Sequence, residues 1–268
     1  MTESLIPVEP VSPVAPWIGG KKNLARRICA ILDSIPCATY AEPFVGMGGI
    51  FLRRTSRPRS EVINDAGRDV ANLFRILQRH YPQFIEFLRF QLTTRTEFNR
   101  LVDTNPETLT DLERAARFLY LQRTAFGGKV SGRNFGVDKG RPARFNRTTL
   151  EPMLEDLHSR LAGVVIECLD FGEFIRRYDS DGTLFYLDPP YWGSEGDYGK
   201  HLFGRQDFQR LADALAAIRG RFVMSINDVP EIRDIFAWAR IEEVQTTYTI
   251  GSKGAKPAAE LIIRGGAG

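Results

Sequence analysis

Hydrophobic residues in this chain form two patterns, short continuous runs and longer segments with an apolar residue at every third or fourth position. The short runs predict buried strands, at residues 37–41, 61–63, 164–168, 183–187, 222–226, 241–250 and 260–264. The periodic segments predict helices. The first opens at 16–22 and ends near 32, and the second starts at 50. The others cover 70–78, 171–178 and 206–218, together with one that is capped at 146–149 and ends at 161. Such alternation is typical of an α/β sheet with helices on both faces.

Residues 81–121 depart from this alternation. Their apolar positions recur at intervals of three and four, as in Phe84, Phe87, Leu88 and Leu92. Asn105-Pro106 breaks the pattern, which resumes over 111–121. The segment has no glycine-rich loop and no acidic strand end, so the pattern predicts a helical insert rather than part of the sheet. Before Pro16, three prolines among small residues predict a disordered or extended tail over residues 1–15.

Composition narrows the class of protein. With 268 residues, 43% of them hydrophobic and 26% charged, the chain suits one large α/β domain or a core with a small insert. It has no apolar run of 18 residues and no basic, apolar leader, so we expect no membrane span, no secretion signal and a cytoplasmic location. Three widely spaced cysteines, Cys29, Cys37 and Cys168, predict neither a disulfide framework nor a metal site.

The net charge of +3 is unevenly distributed. Residues 123–147 contain seven basic residues and one acidic residue, Asp138. A concentrated basic segment on a near-neutral body fits a surface that contacts phosphates, although a solvated loop has the same composition.

The predicted strand at 183–187 leads directly into Asp188-Pro189-Pro190-Tyr191. Two prolines cannot continue a central strand, so they hold the carboxylate at the carboxyl end of the sheet, where α/β proteins bind ligands. A carboxylate, a carbonyl and an aromatic ring can together hold a flat base by its exocyclic amine. The alternative is a Pro-Pro turn in which Asp188 only caps the chain.

Other strand ends carry groups suited to a nucleotide-type cofactor. Glu42-Pro43-Phe44-Val45-Gly46-Met47-Gly48-Gly49 is a glycine-rich turn after a strand, but it matches neither the dinucleotide nor the Walker pattern. Asp65 lies 19 residues after Gly46, where an acid can accept from ribose hydroxyls or cap the next helix, although Asp69 is the better candidate for that cap. Asp170-Phe171 ends another strand and could hold an adenine ring or cap a helix.

These motifs, taken in order, resemble the Dam-like (alpha-group) DNA adenine-N6 methyltransferases over about residues 16–264. The matching segments are Trp17-Ile18-Gly19-Gly20-Lys21, Glu42 to Gly49, Leu119-Tyr120-Leu121-Gln122-Arg123 and Asp188-Pro189-Pro190-Tyr191. The resemblance implies a Rossmann-like methyltransferase fold with a mixed seven-stranded sheet and a small inserted helical DNA-recognition domain. It also implies that S-adenosylmethionine is the cofactor.

The resemblance also implies roles for individual residues. The catalytic residues would be Asp188, Pro189 and Tyr191, and the cofactor would contact Trp17, Lys21, Phe44, Gly46, Gly48, Asp65, Asp170, Phe171 and Asp188. Residues 16–79 and 148–268 would form the catalytic domain and residues 80–147 the target-recognition insert. DNA contacts would come from Arg123, Phe126, Lys129, Arg133, Lys139, Arg141 and Arg144. Phe126-Gly127-Gly128-Lys129 departs from the Tyr-Asn-Gly-Leu of GATC readers, so the sequence leaves the recognition site open.

The function predicted from the sequence is therefore methyl transfer from S-adenosylmethionine to N6 of adenine in double-stranded DNA. The host would be a bacterium or a phage, and the reaction would need neither a metal ion nor an oligomer. Two alternatives remain open at this point. One is methylation of another amine, in RNA adenine, cytosine N4 or a protein amide, and the other is a nucleic-acid-binding protein without catalytic activity.

Overall fold

A mixed seven-stranded sheet forms the centre of the computed structural model, which describes residues 5–136, 140, 142–198, 202–249 and 255–266. The strands in chain order are β1 (Ile6–Pro7), β2 (Thr39–Glu42), β3 (Ser56–Arg57), β4 (Ser60–Asn64), β5 (Val165–Glu167), β6 (Thr183–Leu187), β7 (Arg221–Asn227), β8 (Arg240–Thr249) and β9 (Ala255–Gly266). The α-helices are α1 (Ala25–Asp33), α2 (Arg68–Arg79), α3 (Tyr81–Leu88), α4 (Arg95–Asp103), α5 (Asp111–Thr124), α6 (Arg147–Arg160), α7 (Phe171–Tyr178), α8 (Asp207–Ala216) and α9 (Pro230–Ile235).

The strand order of the sheet determines where a ligand can bind. The order is β5-β4-β2-β6-β7-β9-β8, and β9 runs antiparallel to both of its neighbours. From β2 the chain moves outward through β4 and β5, then returns to pair β6 with the other side of β2. The strand order therefore reverses between β2 and β6, and their carboxyl ends frame the crevice in which open α/β sheets bind ligands. The predicted α/β class and mixed seven-stranded sheet are confirmed.

Strand β6 is the most deeply buried part of this sheet. Its apolar residues Leu184 to Leu187 are all 0% exposed. Leu184 and Tyr186 pack into the apolar cluster on one face, while Phe185 and Leu187 pack into the cluster on the other. Successive side chains of a strand point to opposite faces, so a strand covered on both sides must be apolar throughout. This explains why the run before Asp188 predicts its strand correctly.

The segment before Pro16, predicted to be a disordered or extended tail, is ordered in its described part and partly extended. In the described part, from residue 5 onward, β1 pairs antiparallel with β3, and the backbone N–H of Val11 donates to the carbonyl of Leu52 at 2.8 Å. Val14 and Ala15 lie in the core. The three prolines lack backbone N–H donors, yet the segment still packs on the sheet domain. It does so because apolar side chains between the prolines reach the core.

The helix predicted from Ile50 is also corrected. Only a short 3-10 helix forms, Phe51–Arg53, and Arg54 is already extended. The buried guanidinium of Arg54 lies over the ring of Tyr40 and pairs with Asp33 at 3.2 Å. Strand β3 then begins at Ser56, which leaves no room for a longer helix.

The predicted helical insert is present as α3, α4 and α5. A capping box between Thr110 and Glu113 starts α5, which is buried over most of its length. Its side chains join the apolar cluster that also contains α2, and Asn72 of α2 donates to the carbonyl of Asp111 at 2.7 Å. The insert therefore packs on the sheet domain as part of the same core.

The described residues contain neither a candidate membrane span nor a candidate metal site. No helix among them is long and apolar enough to cross a membrane. No cluster of three or more His, Cys, Asp or Glu side chains among them has the geometry to bind a metal ion.

Candidate active site

Polar side chains meet at the carboxyl ends of the three central parallel strands. Glu42 is the last residue of β2, Asp65 follows β4, and Asp188 follows β6. Because these strands are neighbours in the sheet, residues far apart in sequence converge on one crevice. Asp65 and Asp188 were predicted as site residues because each follows an apolar strand.

Asp188 faces a buried lysine rather than solvent. Lys21 Nζ lies 3.0 Å from Asp188 Oδ1, and the lysine side chain is 1% exposed. Burial raises the pKa of Asp188 to about 6, and the Lys21 ammonium acts against that rise. The carboxylate is therefore ionised at neutral pH and keeps only one close cationic neighbour among the described residues.

The ammonium of Lys21 is shared among several acceptors. It donates to the hydroxyl of Tyr191, lies 4.2 Å from the centre of that ring, and is 3.4 Å from Glu260 Oε2. The Tyr191 hydroxyl in turn donates to Glu260 Oε1 at 2.5 Å. Lys21, which the sequence predicts to contact the cofactor, pairs here with two carboxylates of the protein, Asp188 and Glu260.

The turn after Asp188 is held from the neighbouring strand β7. The side-chain oxygen of Asn227 accepts from the backbone N–H of Trp192 at 2.9 Å, and its amide donates to the Trp192 carbonyl at 3.1 Å. The indole of Trp192 also lies under the guanidinium of Arg205, at 4.0 Å. Prolines at 189 and 190 and this two-point clamp together fix the chain on both sides of Tyr191.

A cavity of about 370 Å³ opens beside Asp188, a volume typical of small-molecule sites. It is lined by six of the predicted cofactor residues, namely Trp17, Phe44, Gly46, Asp65, Phe171 and Asp188. Leu202 and Phe203 line it as well, and no sequence pattern indicated them. A second cavity, of about 440 Å³, shares Trp17, Phe44 and Asp188 and contains Lys21 and Glu42. Gly48 and Asp170 line neither cavity.

Two glycines of the turn after β2 have backbone conformations that favour glycine. Gly46 has φ +49°, and a Cβ there would lie 2.5 Å from the indole nitrogen of Trp17. Gly48 has φ +73°, and a Cβ there would lie 2.8 Å from the side chain of Leu52. Gly46 therefore lets Trp17 lie directly on the backbone of the turn, whereas Gly48 allows tight packing behind it.

Asp65 organises the floor of the first cavity. Its two oxygens accept from the backbone N–H groups of Gly46 at 3.0 Å and Gly67 at 2.8 Å. Burial raises its pKa to about 6, and both backbone hydrogen bonds oppose that shift. Gly67 is the N-cap of α2, so the capping alternative is not observed for Asp65, nor for Asp69, which pairs with Arg114 at 2.5 Å.

Asp170 caps helix α7, which was the alternative to a contact with an adenine ring. Its side chain accepts from Gly172 N at 2.9 Å at the start of α7, forms an ion pair with Arg210, and is about half exposed. The neighbouring Phe171 is buried and packs against Phe44, with the two rings tilted by 37° and their centres 5.6 Å apart. Phe171 therefore lines the first cavity, whereas Asp170 does not.

The basic segment divides into side chains that hold the loop and side chains that are exposed. Arg123 donates to the carbonyls of Arg144 and Val14, and Arg144 donates to the carbonyl of Ala125 at 3.1 Å. Arg133 donates to Lys129 O at 3.1 Å, and burial lowers its pKa to about 10. Phe126 and Lys129 are exposed. Lys139 and Arg141 lie outside the described residues.

A buried glutamine joins this loop to the cavity wall. The side-chain amide of Gln122, which is 0% exposed, donates to the carbonyls of Pro16 at 2.8 Å and Gly128 at 2.6 Å. Gln122 therefore holds the backbone at Pro16, next to Trp17, against the loop at Gly128.

Sequence reasoning missed Glu42, Asn227 and Glu260 as members of the site. Tyr40 donates to Glu42 at 2.7 Å, and burial raises the pKa of Glu42 to about 8. Glu42 and Asn227 are the last residues of β2 and β7, and a polar residue at the end of an apolar strand is the signal that identified Asp188. Glu260 lies within β9, away from either end of that strand.

Comparison with known proteins is consistent with this site. The family model for the D12 class N6 adenine-specific DNA methyltransferase matches residues 17–250. The type II methyltransferase M.CviBI of Paramecium bursaria Chlorella virus NC1A is 26% identical over 84% of this chain and 86% of its own length. M1.LlaDCHI of Lactococcus lactis subsp. cremoris is 27% identical over 94% of both chains. The DNA N-6-adenine-methyltransferase of Escherichia phage P1 is 29% identical over 89% of this chain and 33% of its own.

Proposed function

Since this chain belongs to the D12 class of N6 adenine-specific DNA methyltransferases, we propose that its target adenine binds at Asp188, Pro189 and Tyr191. S-adenosylmethionine would then bind in the adjoining cavity lined by Trp17 and Asp65. The observation that carries the proposal is that Asp188 borders both cavities at the carboxyl ends of β2 and β6. Family membership favours DNA adenine over RNA, cytosine or protein amides as the methyl acceptor.

The cavity's side chains fit the proposed cofactor. Phe44 and Phe171 offer apolar faces to an adenine ring, Asp65 offers carboxylate lone pairs to ribose hydroxyls, and Asp188 offers negative charge to a cation. Gly46 leaves the backbone open under Trp17. When bound, the cofactor supplies an electrophilic methyl group on a positively charged sulfur.

Replacing Asp65 tests this assignment. We expect Asp65→Asn to weaken S-adenosylmethionine binding by about 1.5–3 kcal/mol, the range for hydrogen bonds to a charged group. The amide keeps the shape of the side chain but loses the charge that accepts from Gly46 N and Gly67 N. Isothermal titration calorimetry measures the affinity, with Asp69→Asn as the control because Asp69 also borders the cavity but pairs with Arg114. Equal affinities for wild type and Asp65→Asn would show that Asp65 does not bind the ribose of the cofactor.

The chemical difficulty lies in the acceptor, because the lone pair of the adenine amine is delocalised into the ring. The carboxylate of Asp188 and the carbonyl of Pro189 accept the two amine hydrogens and so favour a nitrogen with an available lone pair. Positioning of this kind contributes up to roughly 7–11 kcal/mol in the most favourable cases. The ionised Asp188 also stabilises the positive charge that grows on the nitrogen. Tyr191 stacks on the base, which leaves the duplex at a cost of a few kcal/mol.

Residues 80–147 are proposed as the target-recognition part of the enzyme. The exposed side chains of Phe126 and Lys129 are available to bases and phosphates, while Arg123 and Arg144 hold the loop's shape. Gln122 ties that loop to Pro16, so recognition and the cofactor cavity share one wall. The departure at 126–129 from the GATC pattern leads us to propose a relaxed or different target sequence.

Salt dependence separates phosphate contacts from base reading. Each phosphate contact adds about 0.9 to the slope of log affinity against log salt concentration. We expect the double variant Lys139→Ala, Arg141→Ala to flatten the slope by about 1.8 and to weaken all DNA sequences alike. Fluorescence anisotropy from 50 to 200 mM salt gives the slope. Arg176→Ala with Arg177→Ala, on α7, is the control and keeps the wild-type slope. A wild-type slope in the double variant would place the DNA elsewhere.

The function itself is tested by methyl incorporation. Purified protein with labelled S-adenosylmethionine is expected to label double-stranded DNA at N6 of adenine, and to leave RNA and protein unlabelled. Methylation of a random-sequence DNA library, read by single-molecule sequencing, then gives the target site. Label in RNA or protein but not in DNA would overturn the proposed acceptor.

A further inference from the structure

Glu260 is a buried carboxylate that directly precedes an apolar run of strand β9. It precedes Leu261, Ile262 and Ile263 on β9, all 0% exposed, and is itself 0% exposed. It pairs in register with Asn227 on β7, the residue that clamps Trp192. Burying a carboxylate is costly unless partners compensate it, and an apolar residue would suit this strand better. The partners of Glu260 therefore indicate its role.

One partner, Tyr191, belongs to the proposed adenine site, and the other, Lys21, pairs with Asp188 of that site. Glu260 Oε1 accepts from the Tyr191 hydroxyl at 2.5 Å, and Oε2 lies 3.4 Å from Lys21 Nζ. Oε2 has no hydrogen-bond donor of its own among the described residues. Lys21 thus lies between two carboxylates, 3.0 Å from Asp188 and somewhat farther from Glu260.

We infer that Glu260 is a positioning residue for methyl transfer, which anchors the Tyr191 ring through its hydroxyl and draws the Lys21 ammonium partly away from Asp188. Without that second carboxylate, Lys21 would pair with Asp188 alone and compete with the target amine for its lone pairs. Glu260 acts through Tyr191 and Lys21. The inference rests on the proposed function, since it gives these three residues a common task.

The charges around Asp188 make the inference testable. The groups that act on it are Lys21 before α1, Glu42 of β2, Tyr186 of β6, Ser225 of β7 and Glu260 of β9. After burial, Lys21 lowers the pKa of Asp188 and Glu260 raises it. Neutralising Glu260 must therefore lower the pKa of Asp188 and leave the carboxylate ionised at more acidic pH. A purely structural residue would not shift that pKa in this direction.

The first measurement needs neither cofactor nor DNA. The full chain is labelled with ¹³C at aspartate carboxyls, and the Asp188 signal is identified by its loss in Asp188→Asn. We expect a midpoint of about 6 in wild type and a lower midpoint in Glu260→Gln. Glu243→Gln, an exposed carboxylate on the neighbouring strand β8, should leave the midpoint unchanged. An unchanged or raised midpoint in Glu260→Gln overturns the inference, even if the enzyme methylates DNA normally.

The second measurement is a double-mutant cycle on methyl transfer. Glu260→Gln and Tyr191→Phe should each lower kcat about tenfold, with KM for DNA changed much less. Because both variants break the same hydroxyl–carboxylate contact, the double variant should lose well under 100-fold. Independent, multiplying effects would contradict the positioning role. If wild type fails to methylate DNA, the proposed function fails, while the titration still decides on the Glu260–Lys21–Asp188 coupling.

Discussion

Asp188→Asn is expected to lower kcat for adenine methylation by about 10²–10³-fold or more, the usual effect of removing one charge-stabilising group from an active site. The amide has the same shape, yet it cannot accept from the amine as a carboxylate does, nor stabilise positive charge on the nitrogen. Affinity for S-adenosylmethionine should stay within a few-fold, because the rest of the cavity's lining is unchanged. Stopped-assay methylation kinetics and calorimetry together separate the two effects.

The same variant should not lose stability. The pKa of Asp188 is about 6 in the folded protein and 3.8 in its unperturbed state. A raised pKa means that folding favours the protonated form, so the stability contributed by this group falls as pH rises from about 4 to 6. At pH 7.5 the ionised carboxylate therefore opposes folding, and Asp188→Asn is expected to melt at the same temperature as wild type or higher.

This pairing of lost activity with retained stability distinguishes a catalytic carboxylate from a structural one. Asp213→Asn is the matched control, since Asp213 is on the helix α8 and contacts only Gln209 among the hydrogen bonds observed there. It should change neither kcat nor melting temperature. A tenth of wild-type activity in Asp188→Asn would exclude the proposed role, and a large drop in melting temperature would return Asp188 to a capping function.

The parts of the site that the sequence predicted are those encoded locally. Asp65 and Asp188 follow apolar strands, and the order of the strands places both ends at one crevice. Gly46 was predicted from its turn, although the reason for a glycine there is a distant ring, that of Trp17. Periodicity and turn chemistry act over a few residues, so they predict strands, turns and strand ends well.

The parts that were missed depend on contacts between distant segments. Glu260 lies 69 residues from Tyr191, and the pattern of β9 does not show which side chain its carboxylate will meet. Arg123 and Arg144 stay predicted DNA contacts, and the structure adds that they donate to backbone carbonyls of the loop and of Val14, which the sequence did not indicate. Net charge cannot distinguish an arginine that contacts phosphate from one that holds a loop, because both need only an acceptor.

Gly46→Ala is expected to weaken S-adenosylmethionine binding by about 100-fold, which corresponds to about 2.7 kcal/mol. A methyl group at this position would lie 2.5 Å from the indole nitrogen of Trp17, and the backbone has φ +49°. Real side chains do not approach so closely, so either the ring or the turn must move. Both line the cavity, and the turn also donates to Asp65. Calorimetry on the folded variant measures the loss.

Two further variants separate the steric clash from backbone strain. Gly163→Ala has φ +78° and no atom within 4 Å of the added Cβ, so it carries strain without a clash and should leave cofactor affinity unchanged. Adding Trp17→Ala to Gly46→Ala removes the atoms that the methyl group meets. If Trp17 covers the cofactor cavity, the double variant and Trp17→Ala alone should differ in cofactor affinity only by the backbone strain at Gly46. That strain costs roughly 1–3 kcal/mol. Wild-type affinity in Gly46→Ala would mean that the cofactor binds away from this turn.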